Sequence, residues 1–303
     1  MIQVDRALKF RKLLESGKTL CCPAVYDPLS IRLAERNGFE AVFVSGSSMS
    51  CEVIGTSDVG VLSYGEYRNT LLNMLCVSSI PMVVDIDTGF GGPVTLLRTV
   101  REYEQMGIAG VMIEDQTFPK RCAYYDGLRV APVEEMKIRI DSVLKARTDP
   151  NFFLLARTDA AADNTQGMQE ALRRAKLYRE WGADGVFIST PKSESDLIQI
   201  GQLGFPTAVC ITEGSPTGDY SVADFERMGI QLAFFPQSLT RSCIRTMQLV
   251  LSEMRAKGRT NHLGDIFCTQ EERANSTGLE SYMDFEASVM RGRANNRASL
   301  PRE

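Results

Sequence analysis

The chain has 303 residues, 44% of them hydrophobic and 24% charged, with a formal net charge of −4. That length suits one large domain of the size of a closed strand-and-helix barrel, typically roughly 250 residues. The charge balance gives no electrostatic case for a nucleic-acid or anionic-membrane partner, so any ligand must be argued from local residues.

At the amino terminus, residues 1–18 mix Asp5 and Glu15 with basic residues and hold no continuous apolar stretch. Neither a signal nor a transit peptide is expected, and cytoplasm is the default location. Further on, short apolar runs recur at 20–25, 41–44, 82–86, 110–113, 153–156, 185–188, 207–211 and 232–235. All are far shorter than the about 20 residues a membrane helix needs. Each is almost continuously apolar rather than alternating, which predicts parallel strands packed on both faces. Between them, helical patterns end in a glycine two residues before the next run, at Gly38, Gly107, Gly182 and Gly229, where a left-handed helix cap is expected. Eight strands alternating with helices over so short a stretch favour an α/β chain of the (β/α)8 TIM-barrel type. No Gly-x-Gly-x-x-Gly fingerprint follows the first strand, which weakens a dinucleotide-binding alternative.

Past the eighth run, 241–257 reads as a helix and 258–303 as a polar extension. The expected division is therefore a catalytic barrel over 1–257 and a carboxy-terminal helical extension or tail over 258–303, with 291–303 a candidate for disorder. Apolar residues in that extension, Leu263, Ile266, Phe267, Leu279, Tyr282, Met283, Phe285 and Val289, need a cover. The eight cysteines, Cys21, Cys22, Cys51, Cys76, Cys122, Cys210, Cys243 and Cys268, show no paired metal-site spacing. Most read as reduced core residues. Cys122 follows Lys120-Arg121, where neighbouring positive charge is expected to favour the thiolate. The single histidine, His262, lies outside the barrel and reads as a surface residue, and Trp181 reads as core.

In such a barrel the chemistry sits where the strands end. The residues just past each run are Tyr26 and Asp27, Ser45-Gly46-Ser47, Asp85 and Asp87, Glu114 and Asp115, Arg157-Thr158-Asp159, Ser189-Thr190, Thr212-Glu213, and Gln237. Asp85, Asp87 and Glu114 would repel one another on one rim unless a cation relieves them, and an all-oxygen set with waters retained suits magnesium, with Asp58 able to hold those waters. The plainer reading of any one of these acids is a helix cap. The fork of Arg157 suits a substrate carboxylate, with a structural ion pair as its alternative. Ser45-Gly46-Ser47 offers backbone amides to the same kind of group.

Four stretches, Asp85-Ile86-Asp87-Thr88-Gly89-Phe90-Gly91, Ile113-Glu114-Asp115-Gln116, Pro119-Lys120-Arg121-Cys122 and Ala156-Arg157-Thr158-Asp159-Ala160, together resemble the signatures of the isocitrate lyase and phosphoenolpyruvate mutase superfamily. The likeness runs from about Arg11 to at least Met254 and is nearest to the 2-methylisocitrate lyase and 2,3-dimethylmalate lyase branch. It implies Mg2+, or Mn2+ in its place, held by Asp85 directly and by Asp58, Asp87 and Glu114 largely through water. It also implies that Ser45, Gly46, Ser47 and Arg157 hold the 2-oxo-acid part of a small carboxylate substrate, and that Lys120 and Cys122 ride on a gating loop. The Lys-Arg-Cys form of that loop resembles the carbon–carbon lyases, implying cleavage of a 2-hydroxy di- or tricarboxylate with Cys122 as the acid and Tyr26 or Lys120 as the base.

Three positions depart from the branch. Ala123-Tyr124 stand for Gly-His, Ser189 for Glu, and Cys210-Ile211-Thr212-Glu213-Gly214 for Asn-Met-Thr-Glu-Gly. Ala123, Tyr124, Ser189, Cys210 and Thr212 are thus the expected contacts to the second fragment, and they put its identity in question. A phosphonomutase of the carboxyphosphonoenolpyruvate type, a 2-oxo-acid hydrolase or decarboxylase, and a non-catalytic member remain as alternatives. The resemblance further implies a homotetramer with helices after the eighth strand exchanged between neighbours.

Overall fold

The computed structural model describes residues 5–298. Eight parallel strands close on themselves in chain order: β1 (Leu20–Val25), β2 (Val42–Val44), β3 (Met82–Asp85), β4 (Gly110–Glu114), β5 (Phe153–Thr158), β6 (Gly185–Ile188), β7 (Thr207–Cys210) and β8 (Leu232–Phe235). The closing pair sets Leu20 beside Leu232 and Pro23 beside Phe235. The (β/α)8 barrel expected from the apolar runs is what the chain forms, with strand ends shifted by a residue or two.

Helix α1 (Arg6–Glu15) precedes β1, and α2 (Pro28–Arg36), α3 (Gly46–Ile54), α4 (Tyr64–Leu75), α5 (Pro93–Met106), α6 (Val133–Ala146), α7 (Met168–Glu180), α8 (Glu194–Gly201) and α9 (Val222–Met228) connect successive strands. Their returns use the predicted glycines: Gly107 and Gly229 cap α5 and α9 at φ +80° and +86°, a conformation that costs side-chain-bearing residues more. Helix starts are set by capping boxes, as at Asp27, whose carboxylate accepts from Ser30 N at 2.7 Å while Ser30 Oγ takes the Asp27 N–H.

Two apolar layers follow from the double-faced strands. The outer one packs Val25, Val84, Ile113 and Val186 against helices through Ile31, Leu71, Ile140 and Tyr178. The inner one fills the barrel with Phe43, Met112, Leu155, Phe187 and Phe234, and Phe43 stacks on Phe234 with ring centroids 4.5 Å apart. From α1, Phe10 enters this inner layer fully buried and meets Phe153 edge-on at 5.2 Å. The amino-terminal end of the barrel is therefore plugged, and the polar residues collect at the other.

By packing, the described residues up to Cys243 form one compact unit and those from Ile244 onward a second, so the division falls inside α10 (Ser238–Lys257). The second unit continues through a 3-10 turn (Asn261–Ile266), α11 (Gln270–Thr277) and α12 (Leu279–Ala298). Of the segment expected as disordered, 291–298 is helical and 299–303 lies outside the described residues. Ile266, Phe267, Leu279, Tyr282, Met283, Phe285 and Val289 are exposed on this unit. His262 bonds Glu253 Oε2 at 2.6 Å within this unit. Among the described residues no helix is long and apolar enough to cross a membrane.

Candidate active site

Strand β3 delivers Asp85 at its last position, and the backbone then turns so tightly that Asp87 takes φ +49° and donates its N–H to Asp85 Oδ1 at 3.0 Å. A left-handed non-glycine residue is uncommon and is held only by its surroundings, which fits a position selected for its side chain. Lys120 is the partner it finds: its ammonium lies 2.7 Å from Asp87 Oδ1 and is also bonded to Asp58 Oδ1. Lys120 is 3% exposed. Burial alone would lower its pKa, but Asp87, Glu114, Asp58 and Asp85 outweigh that and hold the ammonium protonated.

Gly46 opens α3 against this cluster. A Cβ there would stand 2.5 Å from Tyr67 Oη and 3.2 Å from both Asp85 Oδ2 and Asp87 Oδ1, so only glycine lets the helix start approach the acids. Ser45 caps the same helix, accepting from Ser48 N at 3.3 Å, and Ser47 Oγ lies 3.5 Å from Gln237 Nε2.

The adjacent acids at the end of β4, Glu114 and Asp115, go to opposite faces. Asp115 is saturated: Tyr178 Oη, Thr158 Oγ1 and Arg174 Nη1 donate to Oδ2 at 2.6, 2.8 and 3.0 Å, and Asp159 N donates to Oδ1 at 2.9 Å. It is a structural anchor. Glu114 is fully buried and neither of its carboxylate oxygens has a hydrogen-bond partner; Arg157 Nη1 is 3.5 Å from Oε2. Glu114 and Arg157 are register partners across β4 and β5, which is why they meet. Arg157 is otherwise committed to Asp159, with Nε and Nη2 on Oδ1 at 3.1 and 2.8 Å, and its guanidinium carbon sits 5.3 Å from the Phe187 ring centre. The ion-pair alternative for Arg157 is therefore present, while the side chain still lines the chamber described below.

Gln116 was not singled out by sequence reasoning as a site residue. It ties two parts of the site together, donating to Asp159 Oδ2 at 2.8 Å and accepting from Arg121 N, on the Lys120–Cys122 loop, at 2.8 Å. Its place in the Glu-Asp-Gln stretch was the available signal.

No group of three or more His, Cys, Asp or Glu side chains forms a ready-made metal cage among the described residues. Magnesium does not require one, since it keeps several waters and takes only one or two carboxylates directly. The donor set fits that ion. Burial, followed by the charge of Asp87, pushes Asp85 up to about 7, and burial pushes Asp87 up and Glu114 well up. Acids so raised, one with both oxygens unpartnered, are what a hard cation would relieve.

A chamber of about 60 Å³ lies beside these residues, walled by Ser45, Ser47, Asp58, Asp85, Cys122, Ala123, Tyr124, Arg157, Ser189 and Cys210. Phe43, Phe187, Thr190, Pro236 and Gln237 complete it; Thr190 and Gln237 stand just past their strands as the sequence predicts, while Phe43, Phe187 and Pro236 carry no signal of the site in the sequence. Most of the expected site residues thus converge. Thr212, buried past the end of β7, is not on the chamber wall, and Gly46, Asp87, Glu114 and Lys120 stand behind it. Tyr26 is elsewhere: it lines a separate apolar cavity with Leu29, Phe39 and Leu239, and its hydroxyl is 3.5 Å from Cys243 Sγ. Burial pushes that phenol up.

The thiol of Cys122 corrects the expectation of a thiolate. It is 8% exposed, and burial raises its pKa more than Arg157 and Lys120 lower it. The group is held as a neutral S–H. Cys210 is likewise pushed up by burial, to about 12.

Comparison with known proteins agrees with this fold. A family model described as phosphoenolpyruvate phosphomutase matches residues 10–255. The chain is 32% identical to 2,3-dimethylmalate lyase of Eubacterium barkeri over 96% of this chain and 100% of that one. It superposes on oxaloacetate acetylhydrolase bound to 3,3-difluorooxalacetate with a TM-score of 0.87 at 26% identity, covering 95% of this chain and 98% of that one. It also superposes on phosphonopyruvate hydrolase bound to oxalate and Mg2+ with a TM-score of 0.82 at 27% identity, covering 93% and 98%.

Proposed function

The chain belongs to the phosphoenolpyruvate phosphomutase family, and from that membership we propose that it is a carbon–carbon lyase. Its substrate is a 2-hydroxy di- or tricarboxylate, a substituted malate or a methylisocitrate-like acid, split into a 2-oxo acid and a carboxylate. The observation that carries this reading is Cys122, a buried, protonated thiol on the wall of a chamber that Arg157 and Asp58 also line.

In this mechanism the carboxylate next to the hydroxyl-bearing carbon rests on Arg157, Ser45 and Ser47, with the Gly46 backbone behind them. Asp58 lines the chamber and is bonded by Lys120. The Asp58 carboxylate receives the 2-hydroxyl proton, the C2–C3 bond then breaks, and Asp58 returns that proton to solvent after the products leave. Cys122 gives its S–H proton to the carbon of the departing enediolate and regains one from solvent. Lys120, held protonated, steadies the negative charge on Asp58 rather than starting as a base, and Tyr26 has no part. Asp85, with Asp58, Asp87 and Glu114 through water, would hold magnesium, which would supply positive charge to stabilise the developing 2-oxo acid.

The chemistry is assigned to residues 1–257 and assembly to 258–303. The exposed apolar side chains of the second unit support self-association, which we assign as a homotetramer; a stable monomer in sedimentation would remove that assignment. The location proposed is the cytoplasm. A second reading, hydrolysis or phosphonate chemistry, draws on the likeness to oxaloacetate acetylhydrolase and phosphonopyruvate hydrolase.

The test is magnesium-dependent release of a 2-oxo acid, followed by coupled reduction, across 2-alkylmalates, isocitrates and oxaloacetate. Turnover of a malate or isocitrate derivative supports the lyase. Silence on those acids with oxalate still bound sinks it, and turnover of oxaloacetate alone, or a new phosphorus NMR signal from a phosphonate, moves the assignment to the second reading.

A further inference from the structure

The chamber is too small for the whole of such a substrate. At about 60 Å³ it holds about four to six water-sized groups, enough for an oxalate-like head and little more. A second cavity of about 350 Å³ adjoins it, and Ala123, Tyr124, Thr190 and Cys210 wall both. Tyr125, Leu128, Ala162, Pro191 and Pro216 give the outer cavity its apolar wall, and Asn164, Ser215 and Thr217 add uncharged polar groups. Its only charged walls are Asp126 and Lys192, one of each sign and both exposed to solvent.

At the junction, two hydroxyls have no partner. Ser189 Oγ and Thr190 Oγ1 are buried without a hydrogen bond, and Thr190 is held at φ +49°. An unmade buried hydrogen bond costs stability, and a β-branched residue in the left-handed region adds strain. Both costs are accounted for if a ligand atom completes the pair. None of the four residues shared by the cavities carries a positive charge, so an anion placed there would have no counter-charge of its own.

Taking the lyase reading as its basis, we infer that the outer cavity is a second subsite that takes an uncharged, extended substituent on the leaving carbon. Ser189 and Thr190 bond the oxygen at the root of that substituent. The substrate class is then a malate-type acid whose leaving fragment is larger than a methyl-substituted acetate and mostly apolar beyond its first polar atom.

N-substituted oxamates test this without turnover, because oxamate supplies the oxalate-like head and its nitrogen points a substituent where the leaving carbon would stand. Calorimetric titration in magnesium should find N-benzyloxamate at least tenfold tighter than oxamate, as expected for burying a ring. N-(carboxymethyl)oxamate should gain nothing. Ala162→Trp and, at an exposed lining position, Asn164→Trp should each remove the benzyl gain, while oxamate titration of the same variants reports whether the head site is intact. Equal or weaker binding of N-benzyloxamate overturns the inference, as does a gain that survives both tryptophans. An equal gain for the carboxymethyl compound overturns the uncharged assignment. Failure of oxamate itself to bind would instead remove the lyase site, and the subsite with it.

Discussion

Arg157 places Nε and Nη2 on one oxygen of Asp159, at 3.1 and 2.8 Å, and keeps Nη1 free of any closer partner than Glu114 at 3.5 Å. The fork is thus aimed from one side and available on the other. Arg157→Lys keeps the charge and loses this geometry. Oxalate binding in magnesium should weaken about tenfold or more, the scale of a charged hydrogen bond. Unchanged affinity by calorimetry would mean that Arg157 serves only its ion pairs.

Cys122→Ser should lower kcat by about a hundredfold or more, the usual contribution of a general acid, because a serine hydroxyl is a much weaker proton donor than the thiol it replaces. Oxalate affinity should stay within about twofold, since the substitution leaves the head site in place. Retained turnover would end the acid assignment.

Glu114 and Asp115 are neighbours in sequence with different work. Asp115→Ala strips four donors, Arg174 among them. It should destabilise the fold by about 3 kcal/mol or more, read as a lowered Tm. Glu114→Gln removes a buried acid that has no hydrogen bond to lose. It should leave the metal-free Tm unchanged or higher and weaken magnesium retention. A Tm loss in Glu114→Gln as large as in Asp115→Ala would contradict this division.

Gly46→Ala pushes a methyl against Tyr67 Oη, 2.5 Å from the built Cβ. Overpacking of this kind costs about 1–3 kcal/mol. Tyr67→Phe removes the opposing oxygen, so the double variant should recover part of the loss. A strictly additive cycle in denaturant titrations would show that Tyr67 is not what excludes the side chain.

The barrel was readable because parallel strands buried on both faces are written as unbroken apolar runs, and because glycine caps such as Gly107 mark each return. The rim was readable as a set and not residue by residue. Asp115 and Glu114 look alike in sequence, and only the alternation of strand faces sends one to Tyr178 and the other toward Arg157. Tyr26 follows β1 as a rim residue would, but Asp27 already caps α2, and the chain carries Tyr26 into the cavity beside Leu29 and Leu239. For Cys122 the two basic neighbours were visible and its burial was not, so the direction of its shift could not be read.

Phe10 has a kinetic consequence. With that ring filling the amino-terminal end of the barrel, the chamber has no exit on that side and adjoins the outer cavity on the other. Release through the outer cavity should let the fragment nearer to it depart first, with the 2-oxo acid following. The 2-oxo acid is then the product that meets the free enzyme, so it should inhibit competitively against substrate, whereas the other carboxylate should inhibit noncompetitively.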